Sequence, residues 1–235
     1  MLLLVGLGNP GLEYARHRHN VGFMAVEAIA DRHGFSEPRR KFKGLLREGR
    51  LGSEKALVLE PLTYMNRSGE AVAEAVNFYK LAPQDVVVFH DELDIPPGRV
   101  RVKIGGGHAG HNGLRSISAS PTGADFRRVR IGIGHPGSKA RVNGHVLGNF
   151  AAEDQDWLAP LLERMAEHAP LLAAGEDKTF ASRVANPEDG GGKAKPAKRT
   201  SPEPAPPAKL AERPGADDKS GPMADMLKRL LGRDG

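Results

Sequence analysis

Nine histidines, no cysteine and several asparagines beside glycine-rich turns make up the reactive inventory of this chain. Without Cys there is no thiolate nucleophile, no disulfide and no thiolate metal site. No G-x-S-x-G elbow marks a serine nucleophile. The default hydrolytic route is therefore attack by water activated by a general base. Histidine is the natural base near neutral pH, with a reference pKa of about 6.5. It needs a carboxylate to fix its tautomer and stabilise its cation. Asp91, in the run Phe89-His90-Asp91-Glu92 that follows an apolar strand, is one candidate. Glu92 and Asp94 rival it on spacing, and capping of a turn is the competing reason for an Asp there. The pairs His17-x-His19 and His108-x-x-His111 bring imidazoles together in sequence. Neither has the H-E-x-x-H pattern or a carboxylate at ligand spacing, so no metal and no cofactor are expected. Residue types alone do not choose the base among the histidines.

Three strands run into glycine-rich turns: Gly6-Leu7-Gly8-Asn9-Pro10-Gly11, the segment from Gly105 to Gly113, and Gly132-Ile133-Gly134-His135-Pro136-Gly137. Ligands of open α/β sheets sit beyond the carboxyl ends of the strands, where glycine lets backbone amides approach closely. Three such turns that also carry Asn and His are expected to share one site rather than merely to reverse the chain. The first turn matches G-x-G-x-x-G, which raises a nucleotide-dependent oxidoreductase. The context fails that fingerprint, because Pro10 interrupts the turn and Val21–His33 reads as helix where a second strand is required.

Around these residues the elements alternate. Leu2–Gly6 reads as a buried strand, and Val21, Met24, Ala25, Ala28 and Ile29 fall on one helix face. Leu45–Leu51 and Ala56–Leu59 flank Gly52-Ser53 as a hairpin. Ser68 is a candidate cap for a helix running toward Lys80. Val86–Phe89, Val100–Ile104 and Val129–Ile133 read as strands. A long helix begins at Asp154, and Pro160 and Pro170 are expected to kink or shorten it. The fold class implied is α/β: three layers, α/β/α, with a mixed, mostly parallel twisted sheet.

The chain has 235 residues, 39% of them hydrophobic. From Asn186 to Pro222 it carries 8 of its 18 prolines, a Gly190-Gly191-Gly192 run and one large apolar residue, Leu210. Such a stretch buries too little to offset the entropy of ordering it. The organisation expected is a catalytic domain over 1–185, a disordered linker over 186–222 and a short amphipathic helix over 223–232. Met223, Met226, Leu227, Leu230 and Leu231 give that helix its apolar face. It either rests on the main domain or docks a partner or membrane surface, and nothing identifies the partner. No run approaches the ~18 apolar residues of a membrane span, and no basic start precedes an apolar leader, so a cytoplasmic protein is expected. A net charge of +5 accords with an anionic partner such as nucleic acid.

The motifs are recognisable together. Gly6–Gly11 with Tyr14, followed by Arg18-His19-Asn20 and Gly22, resembles the opening of the bacterial peptidyl-tRNA hydrolase family. Met65-Asn66 with Ser68-Gly69, His90-Asp91-Glu92-Leu93-Asp94 and Gly105-Gly106-Gly107-His108 with Gly110-His111-Asn112-Gly113 resemble it too. So do Arg130-Ile131-Gly132-Ile133-Gly134-His135-Pro136 and Val146-Leu147-Gly148, so the likeness covers roughly residues 1–180 in order. The resemblance implies a monomeric, metal-free α/β esterase that cuts peptide from tRNA. It implies His19 as catalytic base and Asp91 as its support. Asn9, Asn66 and Asn112 would hold the peptide end, with Tyr14, Tyr64, Met65 and His111 among the substrate contacts. Lys103 and Arg130 would grip a tRNA phosphate. Two positions depart from the family pattern. His17 stands where Thr is usual and is expected to be exposed and neutral to function, and Tyr64 replaces Phe while keeping the ring. A non-catalytic RNA-binding relative is the rival, and an intact His19/Asp91 pair argues against it.

Overall fold

The computed structural model describes residues 1–185, so the expected linker over 186–222 and helix over 223–232 lie outside the described residues. The strands are β1 (Leu2–Gly6), β2 (Arg39–Lys41), β3 (Gly44–Leu51), β4 (Glu54–Pro61), β5 (Val86–Glu92), β6 (Val100–Ile104) and β7 (Arg127–Gly132). The helices are α1 (Val21–Arg32), α2 (Ser68–Tyr79), α3 (Asn112–Ser118), α4 (Lys139–Val146), α5 (Gln155–Ala173) and α6 (Asp177–Ala185).

One sheet of seven strands has the order β2-β3-β4-β1-β5-β7-β6. Its centre, β4-β1-β5-β7, is parallel, and β2, β3 and β6 add antiparallel margins. Every residue of β1 is buried, as a central parallel strand requires. Its side chains divide by alternation. Leu2 and Leu4 join α1, α5 and α6 in one core, while Leu3 and Val5 join α2 and α3 in a second core on the other face. The three-layer arrangement expected from the sequence is the one observed. No helix among the described residues is long and apolar enough to cross a membrane.

Local readings shift in four places. Strand β5 continues through Glu92, so Asp91 is part of the strand rather than following it, and β7 begins at Arg127, two residues before the apolar run. Ser68 is not a cap but the first helical residue of α2, its hydroxyl donating back to the Met65 carbonyl. Helix α5 runs unbroken through Pro160 and Pro170. Pro170 has no N–H for the Ala166 carbonyl, and the His33 imidazole takes that acceptor instead at 2.7 Å. The unpaired group that would favour a break is thus satisfied by a side chain from the end of α1.

Gly22 decides how α1 meets the sheet. A Cβ there would lie 2.3 Å from the Phe89 carbonyl oxygen and 2.5 Å from the Leu7 nitrogen. A Cβ on Gly6 would lie 2.6 Å from the Gly22 carbonyl. The glycine pair lets the start of α1 touch the carboxyl ends of β1 and β5, where the reactive side chains gather.

Candidate active site

His19 sits in a single 3-10 turn, Arg18–Asn20, that leads directly into α1. Both ends of this turn are tied. The Arg18 guanidinium pairs with Asp154 at 3.0 Å, and the Arg18 N–H donates to the Gly148 carbonyl. Asn20, fully buried, clasps the backbone of Asn9: its Oδ1 accepts from the Asn9 N–H at 3.0 Å and its Nδ2 donates to the Asn9 carbonyl at 2.9 Å. No role for Asn20 emerged from the sequence. The signals for it were its place in the Arg18-His19-Asn20 motif and its position beside the candidate base.

His19 and Asp91 meet across the chain. The Nδ1 of His19 lies 2.7 Å from Asp91 Oδ1, with 8% and 4% of the two residues exposed. A carboxylate only accepts, so Nδ1 carries the proton and Nε2 is left with a free lone pair. His111 approaches the same oxygen, its Nε2 at 3.1 Å. Its Nδ1 accepts from the N–H groups of Gly113 and Leu114 at the start of α3, which fixes the proton on Nε2. Asp91 Oδ1 therefore receives two imidazole donors.

Burial opposes charge on both members of the pair, and their mutual attraction wins. Burial pushes the His19 pKa down, but the Asp91 charge and hydrogen bond leave it above the ordinary value. Burial would raise the Asp91 pKa, but the charges and hydrogen bonds of His19 and His111 hold it well below the usual carboxylate range. His90 behaves differently. It is 1% exposed and donates from Nδ1 to the backbone carbonyl of Asp91 at 2.8 Å. Burial, with the nearby His111, lowers its pKa to about 3, so it is a neutral core residue at ordinary pH. Glu92, a rival partner on spacing, is engaged by Arg130 at 2.9 Å.

The other expected residues fall into two groups. Asn9 Oδ1 accepts from the Met65 N–H at 3.0 Å, which leaves the Asn9 Nδ2 as a donor for a ligand. Asn112 Oδ1 accepts from Arg115 at 2.9 Å and likewise leaves its Nδ2. Asn66 is exposed in the 3-10 turn that begins with the buried Met65. A Cβ on Gly113 would lie 2.6 Å from the Met65 sulfur, so the turns carrying Asn66 and Asn112 are in contact. Tyr14 and Tyr64 line one groove with Pro10. Lys103 and Arg130 stand apart, at the β6–β7 margin. Register pairs Arg101 with Arg130 and Lys103 with Arg128, which puts four cations on one face. Arg128 is turned inward onto the carbonyls of Gly106, Gly107 and Ala124.

Two expectations need correction. His17 is half-buried, not exposed: its ring meets Tyr14 edge-on at 5.3 Å, and its Nδ1 is buried without a hydrogen bond. Burial and the neighbouring His19 charge lower its pKa. The three glycine-rich turns also do not all begin at one crevice. Strand β6 is antiparallel to β7, so the segment after Ile104 starts at the opposite end, where Gly105 N–H bonds to the Phe126 carbonyl. Only its last residues, from His111, reach Asp91.

Comparison with known proteins follows the same outline. The sequence profile described as Peptidyl-tRNA hydrolase matches residues 3–191. The chain is 64% identical over 184 residues to a peptidyl-tRNA hydrolase of Bradyrhizobium diazoefficiens, covering 78% of this chain and 91% of that one. It is 53% identical over 246 residues to a peptidyl-tRNA hydrolase of a Chelativorans species, covering 99% of each. Among solved structures it is similar to peptidyl-tRNA hydrolase from Acinetobacter baumannii, at 44% identity with a TM-score of 0.74, over 79% of this chain and 94% of that one.

Proposed function

Because the chain belongs to the peptidyl-tRNA hydrolase family, a family of hydrolases, we propose that it cuts the ester between peptide and tRNA with His19 as general base and no metal. On this reading His19 Nε2 takes a proton from water as the oxygen attacks the ester carbonyl. The tetrahedral intermediate collapses, and the imidazolium returns the proton to the departing ribose oxygen. Asp91 orients His19 and stabilises its cation. The Nδ2 of Asn9, the amide of Asn66 or backbone N–H groups of the glycine-rich turns are the donors offered to the oxyanion, one such donor being typically worth about 3–4 kcal/mol. Asparagine also accepts and donates without a charge that repels phosphate. A peptide amide can accept such a hydrogen bond and an α-ammonium cannot, which spares ordinary aminoacyl-tRNA. Lys103 and Arg130 are proposed to hold a tRNA phosphate, and the substrate is peptidyl-tRNA lost from ribosomes in the cytoplasm. Action as a monomer is part of the same proposal. Residues 1–185 would then be the catalytic unit.

The observation that carries this reading is the 2.7 Å contact of His19 Nδ1 with Asp91, which leaves Nε2 unengaged. His19, Asp91 and His111 also bring three potential metal ligands within 4.8 Å of one another. We prefer the metal-free reading because Asp91 Oδ1 fits as acceptor of two imidazole N–H donors, one of them held in that tautomer by α3. The test is hydrolysis of N-acetyl-aminoacyl-tRNA by the wild type and by His19→Ala. Turnover should nearly vanish in the variant, and a full rate there would move the chemistry elsewhere.

A further inference from the structure

A groove of about 700 Å³ opens beside Tyr14 and Tyr64 and runs to the β2–β3 hairpin. The hairpin turn is unusual. Lys41 pairs with Gly44 across a two-residue loop, Phe42-Lys43, and both loop residues are left-handed, with φ of 54° and 52°. Such turns favour Asn-Gly, and side chains with a Cβ are strained there. Tertiary contacts hold the strain. The Phe42 ring packs on Phe78 and Tyr79, and Lys43 pairs with Glu70 and Glu74. Strain of this kind persists where the surroundings over-determine it, often beside ligands.

The charges along the groove are unequal. Lys43 and Arg67 both pair with Glu70, and Lys43 also pairs with Glu74. The Lys41 ammonium is held over the Phe78 and Phe42 rings, 3.9 and 4.6 Å from their centroids, and Arg40 is exposed. Among the described residues neither has an ion-pair partner, and Glu13 is the lining carboxylate without one. The sheet order gives the groove a direction. β1 and β5, which frame His19 and Asp91, lie mid-sheet; Lys103 and Arg130 lie at the β6–β7 margin, and the groove lies at the β2–β3 margin. A substrate with its ester at His19 and its RNA at β6–β7 has its peptide directed toward Arg40 and Lys41.

We propose that this groove is the subsite for peptide residues upstream of the esterified one, and that Arg40 and Lys41 make it favour acidic side chains there. The proposal rests on the peptidyl-tRNA reading above and adds a specificity to it. Pro10 and Tyr64 line the groove and adjoin Asn9 and Met65 in the chain, which sets the groove beside the proposed substrate contacts. An RNA phosphate is the other anion that would suit two cations without carboxylate partners, but it would have to cross the ester position to reach them.

The test compares kcat/KM for N-acetyl-Glu-Glu-Ala-tRNA, its Gln-Gln counterpart and its Lys-Lys counterpart. The wild type should favour the acidic peptide over the neutral one about five-fold, the scale of two partly exposed ion pairs, and the basic peptide should be poorest. The preference should appear mainly in KM and shrink with added salt. Arg40→Gln with Lys41→Gln should bring the three values together. Because Lys41 also braces the aromatic cluster, Arg40→Gln alone serves as the second variant and should give a partial loss. Equal rates in the wild type, or a preference that survives the double change, would overturn the proposal. So would a matching loss of affinity for deacylated tRNA, which would assign the groove to RNA. N-acetyl-alanyl-tRNA has no residue to place in the groove, so its failure to turn over would instead sink the reaction itself.

Discussion

His111 donates from Nε2 to the Asp91 oxygen that already accepts from His19, so one carboxylate oxygen couples the proposed base to the first residues of α3. The backbone N–H groups of Gly113 and Leu114 fix His111, and His111 in turn stops Asp91 from rotating away. His111→Ala should lower kcat/KM about tenfold, the scale of one hydrogen bond to a charged group. With one donor fewer, the Asp91 charge acts more fully on His19, and the acid limb of the pH–rate profile should move upward. An unchanged limb in the variant would reduce His111 to a packing residue.

The wild-type pH profile has a definite sign. The proposed base acts as neutral imidazole, and its pKa is raised above the ordinary 6.5. Rate under kcat/KM conditions should therefore climb through a midpoint above that value and then level off. Single-turnover rates across pH on N-acetyl-aminoacyl-tRNA give the midpoint, and one below 6.5 would contradict the stabilised cation.

Stability should depend on pH through a different histidine. His90 has an ordinary pKa of 6.5 unfolded and about 3 folded. Between those values the unfolded chain binds a proton that the folded one does not, so stability is full above 6.5 and falls as pH drops toward 3. The slope from this group is about 1.4 kcal/mol per pH unit. His19 contributes oppositely: its raised pKa gives stability present below 6.5 and lost as pH rises through the folded value. Urea titrations at several pH values should show His90→Gln flattening the acid side, and an unaltered slope would refute the assignment.

Gly22→Ala should damage both folding and rate. Its Cβ would collide with the Phe89 carbonyl and the Leu7 nitrogen, backbone atoms with no freedom to retreat. Overpacking of this kind costs about 1–3 kcal/mol, and any relief moves α1, and His19 with it, off Asp91. Denaturant midpoints and kcat should fall together. Loss of stability with unchanged kcat would show that α1 does not set the position of the proposed base.

Asn20→Ala removes both side-chain hydrogen bonds to the Asn9 backbone and leaves those groups unmet in a half-buried position. The expected loss is about 2–4 kcal/mol of stability. The remaining activity should show a raised KM, because Asn9 presents its Nδ2 from that clasped backbone. A change in kcat alone would place Asn20 with the base instead.

Chelation separates the two readings of the His19–Asp91–His111 cluster. Dialysis against EDTA should leave the rate as it was. Strong inhibition reversed by zinc would establish these residues as ligands.

The residues themselves determined a good deal. Fully apolar β1 and the alternation of strand and helix patterns fixed three layers, because burial on both faces needs continuous apolar strands. The lack of Cys and of a serine elbow pointed the proposed chemistry toward water and a base, and the resemblance named His19 and Asp91 for it. Other features had no local signal. Asp91 lay inside β5 because tertiary pairing with β7 extends that strand beyond its β-branched run. Helix α5 passes Pro170 because His33, 133 positions from Ala166, takes the freed carbonyl. Tertiary structure alone decided which histidine is a neutral core residue and which ones bond to the Asp91 carboxylate. His19 and Asp91 are 72 positions apart, and the proton placement depends on a hydrogen bond that exists only once α1 has docked through Gly22. Propensity and periodicity act over a few residues, whereas a tautomer is set by whichever acceptor the fold brings within about 3 Å.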